Sequence, residues 1–197
     1  PDGDIRNEGF EETTLVDRSF DLAISNVPFG DYKPFDEDFA RHNFRIHDYF
    51  FAKAIGKIRP GGLMVFITSK GTLDKQNSGL RHYLSGEADF IGAIRLPNTA
   101  FKENANTEVT TDIVFFRRLA LGESPTGPAW LSLAEHMNAE GQTFQINEYF
   151  AERPEMMLGI MRDEGTMYRG NEPVLVSDGR ELSAALGGAV AKRPRGV

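Results

Sequence analysis

Between Phe20 and Arg118 the chain alternates apolar runs with polar breaks that carry Gly or Pro, and each run predicts an element. The first is Phe20-Asp21-Leu22-Ala23-Ile24-Ser25-Asn26, a strand whose backbone is then turned by Pro28 and Gly30. Before it, the acidic stretch around Phe10, Glu11 and Glu12 predicts only a short strand or loop. After it, Asp31 to Asn43 mixes charge with aromatics and reads as a surface loop. From Ile46, the residues Phe50, Ala54, Ile55 and Ile58 recur at spacings of three and four, with Phe51 flanking them. That spacing predicts an amphipathic helix, ended by Arg59-Pro60-Gly61-Gly62. The continuous apolar run Leu63 to Thr68 predicts a strand buried on both faces of a sheet, which completes a βαβ unit.

A second helix is expected over 78–85, a third strand over 90–96, and a fourth over 112–116. The loop over 99–109 has no room for a crossover helix, so the last two strands are expected to form an antiparallel pair. Gly, Pro and Ser over 120–129 predict a linker. Partial helical periodicity marks 130–161 as an extension, and 162–197 reads as a poorly structured tail or a linker to a further domain. Residues 1–119 are thus the part whose pattern defines a fold, an α/β one.

Composition narrows the function classes. With 197 residues, 40% hydrophobic and 26% charged, the chain has the profile of a globular protein. Its net charge of -7 argues against holding nucleic acid by bulk electrostatics, so such a site requires a local basic patch or another domain. Lys70, Lys75, Arg81 and Arg95 are candidates for tracking a DNA backbone, whereas Lys192-Arg193-Pro194-Arg195 has the look of a solvated tail. The absence of cysteine excludes disulfides, thiolate metal sites and a Cys nucleophile. His42, His47, His82 and His136 show no metal-ligand spacing, so no metal is expected. No phosphate-cradling Gly-rich loop ends in Lys-Ser or Lys-Thr, which leaves a nucleotide hydrolase unsupported. No apolar run reaches membrane-spanning length and no signal peptide opens the chain, so no membrane partner is expected and the cytoplasm is the default. A start at Pro1 without Met suggests a processed product or an excised piece.

The turn after the first strand carries the most specific chemistry. The amino group on a nucleobase ring is a poor nucleophile because its lone pair is delocalised into the ring. An Asn side-chain oxygen and an adjacent backbone carbonyl can accept from its two N–H bonds and favour the pyramidal, nucleophilic form. Asn26, the carbonyl of Val27 and the ring of Phe29 are the three parts such a site needs. The alternative for Asn26-Val27-Pro28-Phe29-Gly30 is a plain strand-ending turn.

On these residues the chain resembles a known family. Asn26-Val27-Pro28-Phe29 is similar to the Asn/Asp-Pro-Pro-Tyr/Phe tetrapeptide of adenine-specific DNA methyltransferases of the γ arrangement. Residues 20–118 resemble the C-terminal part of that catalytic domain. Ile46-His47-Asp48-Tyr49-Phe50-Phe51 and Arg95-Leu96-Pro97-Asn98 resemble a subgroup of large bacterial, plasmid and phage proteins in which the methylase is joined to a helicase-like domain.

The resemblance implies the second half of a doubly wound class I methyltransferase (Rossmann-like) sheet ending in an antiparallel pair. It also implies S-adenosylmethionine as methyl donor, DNA as partner, transfer to the N(6) amino group of a flipped adenine, and a restriction-modification setting. Asn26, Val27, Pro28 and Phe29 would be catalytic, with Phe29 stacking on the base. Phe101 matches a second stacking aromatic, or else is a loop hydrophobe capping the sheet. Phe10 and Glu11 are weak matches for contacts to the donor.

The departures are as informative. No Gly-rich donor turn of the Phe-x-Gly-x-Gly kind precedes Asp21, and Gly187-Gly188 has no strand before it. A missing N-terminal half is therefore the expected partner, the isolated chain is expected to be inactive, and the first strand would be left with an apolar, unpaired edge. Rival readings are methyl transfer to an RNA base or a protein glutamine, and a donor-free module that binds nucleic acid or a partner.

Overall fold

The computed structural model describes residues 3–102, 108–165 and 172–192. Four strands form one mixed sheet: β1 (Phe20–Asn26), β2 (Ile58–Ser69), β3 (Ala88–Leu96) and β4 (Thr111–Arg118), in the order β1-β2-β4-β3. β1 and β2 run parallel, joined by helix α1 (Ile46–Lys57), while β4 returns between β2 and β3 and is antiparallel to both. The C-terminal ends of β1, β2 and β3 therefore share one end of the sheet. In open α/β sheets that is the end where ligands bind.

α1 stops at Lys57, and Arg59-Pro60-Gly61-Gly62 lies inside β2 rather than in a separate turn. The reason is local. Gly61 takes a positive φ of 76°. A Cβ on Gly62 would sit 2.8 Å from the Asp21 carbonyl, so the two glycines let β2 bend around the start of β1 where the register shifts.

The sheet is unequal on its two faces. Met64, Phe66, Val114 and Phe116 are buried, with Phe51 of α1 packed on Phe66 at 5.0 Å between ring centroids and on Phe116 at 6.3 Å. On the opposite face Leu22, Ile24 and Leu63 are exposed, and Val65, Ile67, Ile113 and Phe115 are only half-buried. The run Leu63–Thr68 is thus covered on one face, not on both as its composition predicts. An apolar run is equally compatible with a face that awaits a cover.

Two short helices, α2 (Gly71–Asp74) and α3 (Gly79–Ser85), link β2 to β3. Beyond β4 the chain differs from the periodicity-based expectation. Residues 130–161 are helical in part, in α4 (Glu148–Glu152) and the 3-10 turn Pro154–Met156, but begin with a hairpin of β5 (Leu133–Met137) and β6 (Thr143–Asn147) that the periodicity does not predict. The tail contains a second hairpin, β7 (Ile160–Gly165) with β8 (Glu172–Val176), and helix α5 (Leu182–Ala191). Short strands of mixed polarity carry little periodic signal, and packing against the sheet overrides it.

The stretch 120–129 is tethered where a free linker is expected. Thr126 and Gly127 donate backbone N–H groups to the Asp89 carboxylate at 2.9 and 2.7 Å, and Trp130 stacks on Phe90 at 4.8 Å. Trp130, Ile146, Phe150, Met161 and Leu175 all join the same apolar core as the sheet.

Among the described residues, no helix is long and apolar enough to cross a membrane. The basic cluster beginning at Lys192 lies outside the described residues from Arg193 onward.

Candidate active site

β1 delivers Asn26 to the ligand-binding end of the sheet. Asn26 is aligned with Ile67, and the Val27 N–H adds one further rung by donating to the Ile67 carbonyl at 2.9 Å. Strand alternation puts Asn26 in the row of Leu22 and Ile24, on the half-covered face, and its side chain is exposed. Val27 points the other way and is 1% exposed within the core. A buried apolar side chain thus anchors the turn, while its neighbour is offered to solvent.

Phe29 follows with 48% exposure, a large ring to leave in water. Gly30 lets the chain pass tightly beneath: a Cβ there would meet the Tyr32 ring at 3.2 Å. Chemically, the turn exposes an amide side chain and, three residues on, an apolar ring. Such a pair suits a flat ligand with an exocyclic N–H donor.

The loop after this turn is held down by a buried polar cluster that sequence reasoning missed. A 3-10 helix spans Glu37–His42, and just before it Asp36 accepts from the Tyr49 hydroxyl at 2.6 Å and from the Lys53 ammonium at 3.1 Å. Lys53 also donates to the Glu11 carbonyl at 3.1 Å and lies 5.4 Å from the Phe10 ring centroid. Burial on its own would raise the Asp36 carboxyl, but the hydrogen bonds from Tyr49 and Lys53 outweigh it and hold its pKa below the ordinary value. Burial, aided by the hydrogen bond to Asp36, pushes the Tyr49 hydroxyl up. Phe10 and Glu11 are thereby joined to α1, with Phe10 against Phe50 at 4.9 Å.

Phe101 lies beyond β3, at the same end of the sheet as Asn26, and packs against the core. β1 and β3 are the two outer strands, so their ends are three strand spacings apart, about 14 Å. Part of the loop that carries Phe101, residues 103–107, lies outside the described residues.

Two of the four basic candidates for a DNA backbone are corrected. Arg95 is fully buried, paired with Asp112 at 2.8 Å and with Asp74 at 2.7 Å, and stacked 4.3 Å above the Phe150 ring. Burial alone would lower the Arg95 pKa, but the two carboxylates overcome it and hold it above the ordinary value. Arg81 is 2% exposed and gives its guanidinium to the carbonyls of Leu73, Lys75 and Leu131. Both guanidinium groups are internal cross-links and do not reach a phosphate. A charged residue opening an otherwise apolar strand, Asp112, is the sequence signal that could have revealed the Arg95 partner.

The described residues do not make a complete site for S-adenosylmethionine. β1 has no strand on its outer side, and Gly187 and Gly188 lie within α5, not on a strand-to-helix turn.

Comparison with solved structures gives likenesses of fold. A protein assigned as a class I S-adenosylmethionine-dependent methyltransferase from Listeria monocytogenes aligns with a TM-score of 0.47 at 21% identity, over 62% of this chain and 38% of that one. A modification subunit assigned to a type I restriction enzyme of Vibrio vulnificus aligns at 0.41 and 14% identity, over 88% of this chain and 40% of the other.

In sequence, the chain is similar to a particular phage protein, Defense against restriction protein B of Escherichia phage P1, at 32% identity over 124 residues. That match takes in 60% of this chain, which spans only 5% of the phage protein's length. No family model matches the chain.

Proposed function

We infer that this chain supplies the acceptor half of an S-adenosylmethionine-dependent methyltransferase that modifies the exocyclic amino group of adenine in DNA. The observation that carries the reading is the turn after β1, where Asn26 and Phe29 are both exposed while Val27 between them is buried in the core. In this role the Asn26 side-chain oxygen and the Val27 carbonyl accept from the target amino group, and Phe29 stacks on the base. Phe101 closes over the base from the opposite end of the strand row. Positioning and hydrogen-bond polarisation do the work, with no general base required.

The donor supplies an activated methyl group and is held mainly by residues outside this chain, with Phe10 and Glu11 the nearest contribution from within it. The missing contribution comes from an N-terminal half that pairs with the free edge of β1 and covers the face bearing Leu22, Ile24 and Leu63. The sheet described above is, in this reading, the second half of a doubly wound one. The domain division is then a catalytic part over 1–119 to which 130–192 is docked. The phage relative's name supports a setting in restriction or in protection from it.

A second reading, a donor-free module, is favoured by one observation, the lack of a Gly-rich strand-to-helix turn among the described residues. The deciding experiment is transfer of tritiated methyl from S-adenosylmethionine by this chain joined to an N-terminal segment that carries such a turn. Transfer to the adenine of a DNA duplex, abolished by Asn26→Ala, is expected. Label appearing only in RNA or in a protein amide, or no label at all, would contradict the assignment.

A further inference from the structure

At the same end of the sheet as the Asn26 turn lies a polar cavity of about 560 Å³, lined by the loop that follows that turn and not by the turn itself. Its walls come from the loop after Phe29, the start of α1, the end of β2 at Ser69, and the segment following α2. Three cations line it, Lys33, Arg45 and Lys75.

Each cation is differently engaged. Lys75 is ion-paired with the nearly buried Asp48. Arg45 pairs with Asp31, a carboxylate 85% exposed that water screens. Lys33 donates only to the neutral amide oxygen of Asn43, at 2.8 Å, and has no carboxylate within ion-pairing distance among the described residues. Asn43, Ser69 and Asn77 add neutral polar groups. His47, which also lines the cavity, has its pKa lowered by burial against the pull of Asp48. In a chain of net charge -7, this is a concave place lined by three cationic side chains and by the carboxylate of Asp48, whose charge Lys75 offsets.

We propose that this cavity binds the phosphodiester backbone of a single DNA strand beside the displaced base, with Lys33 and Arg45 as its phosphate ligands. The proposal rests on the reading that the Asn26 turn handles a nucleic-acid base. It deepens that reading by giving the flanking strand a path. Geometry selects this cavity over the rest of the surface because the loop carrying Lys33 leaves directly from Phe29, and Arg45 begins the helix to which that loop is tied. A strand held here is anchored within a few residues of the ring that stacks on its base. Lys75 contributes through its charge while it holds Asp48, so it is a weaker ligand than the other two.

The test is fluorescence anisotropy of a labelled oligo(dT), which has no adenine and so probes the phosphate path without the amino-group chemistry. The chain is expected to bind it at low salt. The double variant Lys33→Gln, Arg45→Gln is expected to bind about tenfold more weakly, with its log–log salt slope reduced by about 1.4, the loss of two phosphate contacts on a single strand. Arg59→Gln removes an exposed cation at the opposite end of β2 and is expected to leave affinity and slope unchanged. Oligo(dT) carries no adenine amino group and the measurement needs no methyl donor, so failure of the methyl-transfer reading and failure of this one are separable. Equal affinity and slope in the double variant would overturn the proposal. So would a response to inorganic phosphate with none to oligo(dT), or no oligo(dT) binding at 50 mM salt. Thermal unfolding of the double variant within a degree or two of the parent would exclude loss of fold as the cause.

Discussion

The two sides of the sheet are finished to different degrees. On the β3–β4 side the main charged groups are paired, although the buried Thr111 hydroxyl is not: Arg95 lies between Asp112 and Asp74, Asp89 accepts from Thr126 and Gly127, and Trp130 seals Phe90. On the β1 side Leu22 and Ile24 stand 46% and 71% exposed along an edge that pairs only with β2. One side is a closed core and the other a surface prepared for contact. The difference separates the packed part of the sheet from the part where Asn26 and Phe29, the residues proposed to act on the base, are exposed.

The largest expected effect tests the closed side. Arg95→Met would leave Asp112 and Asp74 buried without their cation and is expected to cost about 3–5 kcal/mol, read as a lowered urea midpoint. A cost near zero would mean the buried pair is not holding β3, β4 and α2 together.

Next comes the open side. Asn26→Ala in the completed methyltransferase is expected to lower the transfer rate by about 100- to 1000-fold, the loss of one preorganised hydrogen-bond partner. Its effect on stability is expected to stay within about 0.5 kcal/mol, since an exposed amide packs against little. A large stability loss with modest rate loss would reverse the contrast between the two sides.

The Asp36 cluster joins the open side to α1, and its effect is intermediate. Tyr49→Phe removes one hydrogen bond to a largely buried carboxylate and is expected to cost about 1.5 kcal/mol. The sign of the pH dependence follows from the lowered Asp36 pKa. The cluster contributes fully above the ordinary carboxylate value, about pH 4, and its contribution is lost as pH falls below that through the folded-state value. The protection of residues 31–45 against hydrogen exchange, taken relative to the intrinsic rate at each pH, should therefore fall on acidification, and fall less steeply in Tyr49→Phe.

The smallest effect on stability belongs to the edge itself. Leu22→Lys with Ile24→Lys is expected to change unfolding by under about 0.5 kcal/mol while reducing self-association, measured by sedimentation. The same pair should block completion by an N-terminal segment.

How much of this was legible in the sequence depended on whether local pattern or distant packing decides the element. The strand into Asn26, the helix from Ile46 and the parallel return through Leu63 were readable from apolar periodicity, although Pro60-Gly61-Gly62 falls inside β2 and is not a break before it. The turn was readable because Pro28 and Gly30 are local instructions. The placement of β4 between β2 and β3 was not readable, because strand order is set by pairing across the sheet and leaves no mark on spacing. Nor was the internal role of Arg81 and Arg95, since an arginine reads as surface until its carbonyls and carboxylates are known. The hairpins after Trp130 escaped because their strands are five or six residues long and draw their apolar contacts from the sheet.

The central claim is that the β1 side is an acceptor half whose donor site is completed by another segment. Isothermal titration with S-adenosylmethionine, run in parallel on this chain alone and on the chain joined to a segment bearing a Gly-rich strand-to-helix turn, tests it most directly. No detectable heat with the chain alone and micromolar binding by the joined protein is the predicted result. Equal micromolar binding by both would contradict the account, because the chain would then be building the donor pocket from its own residues.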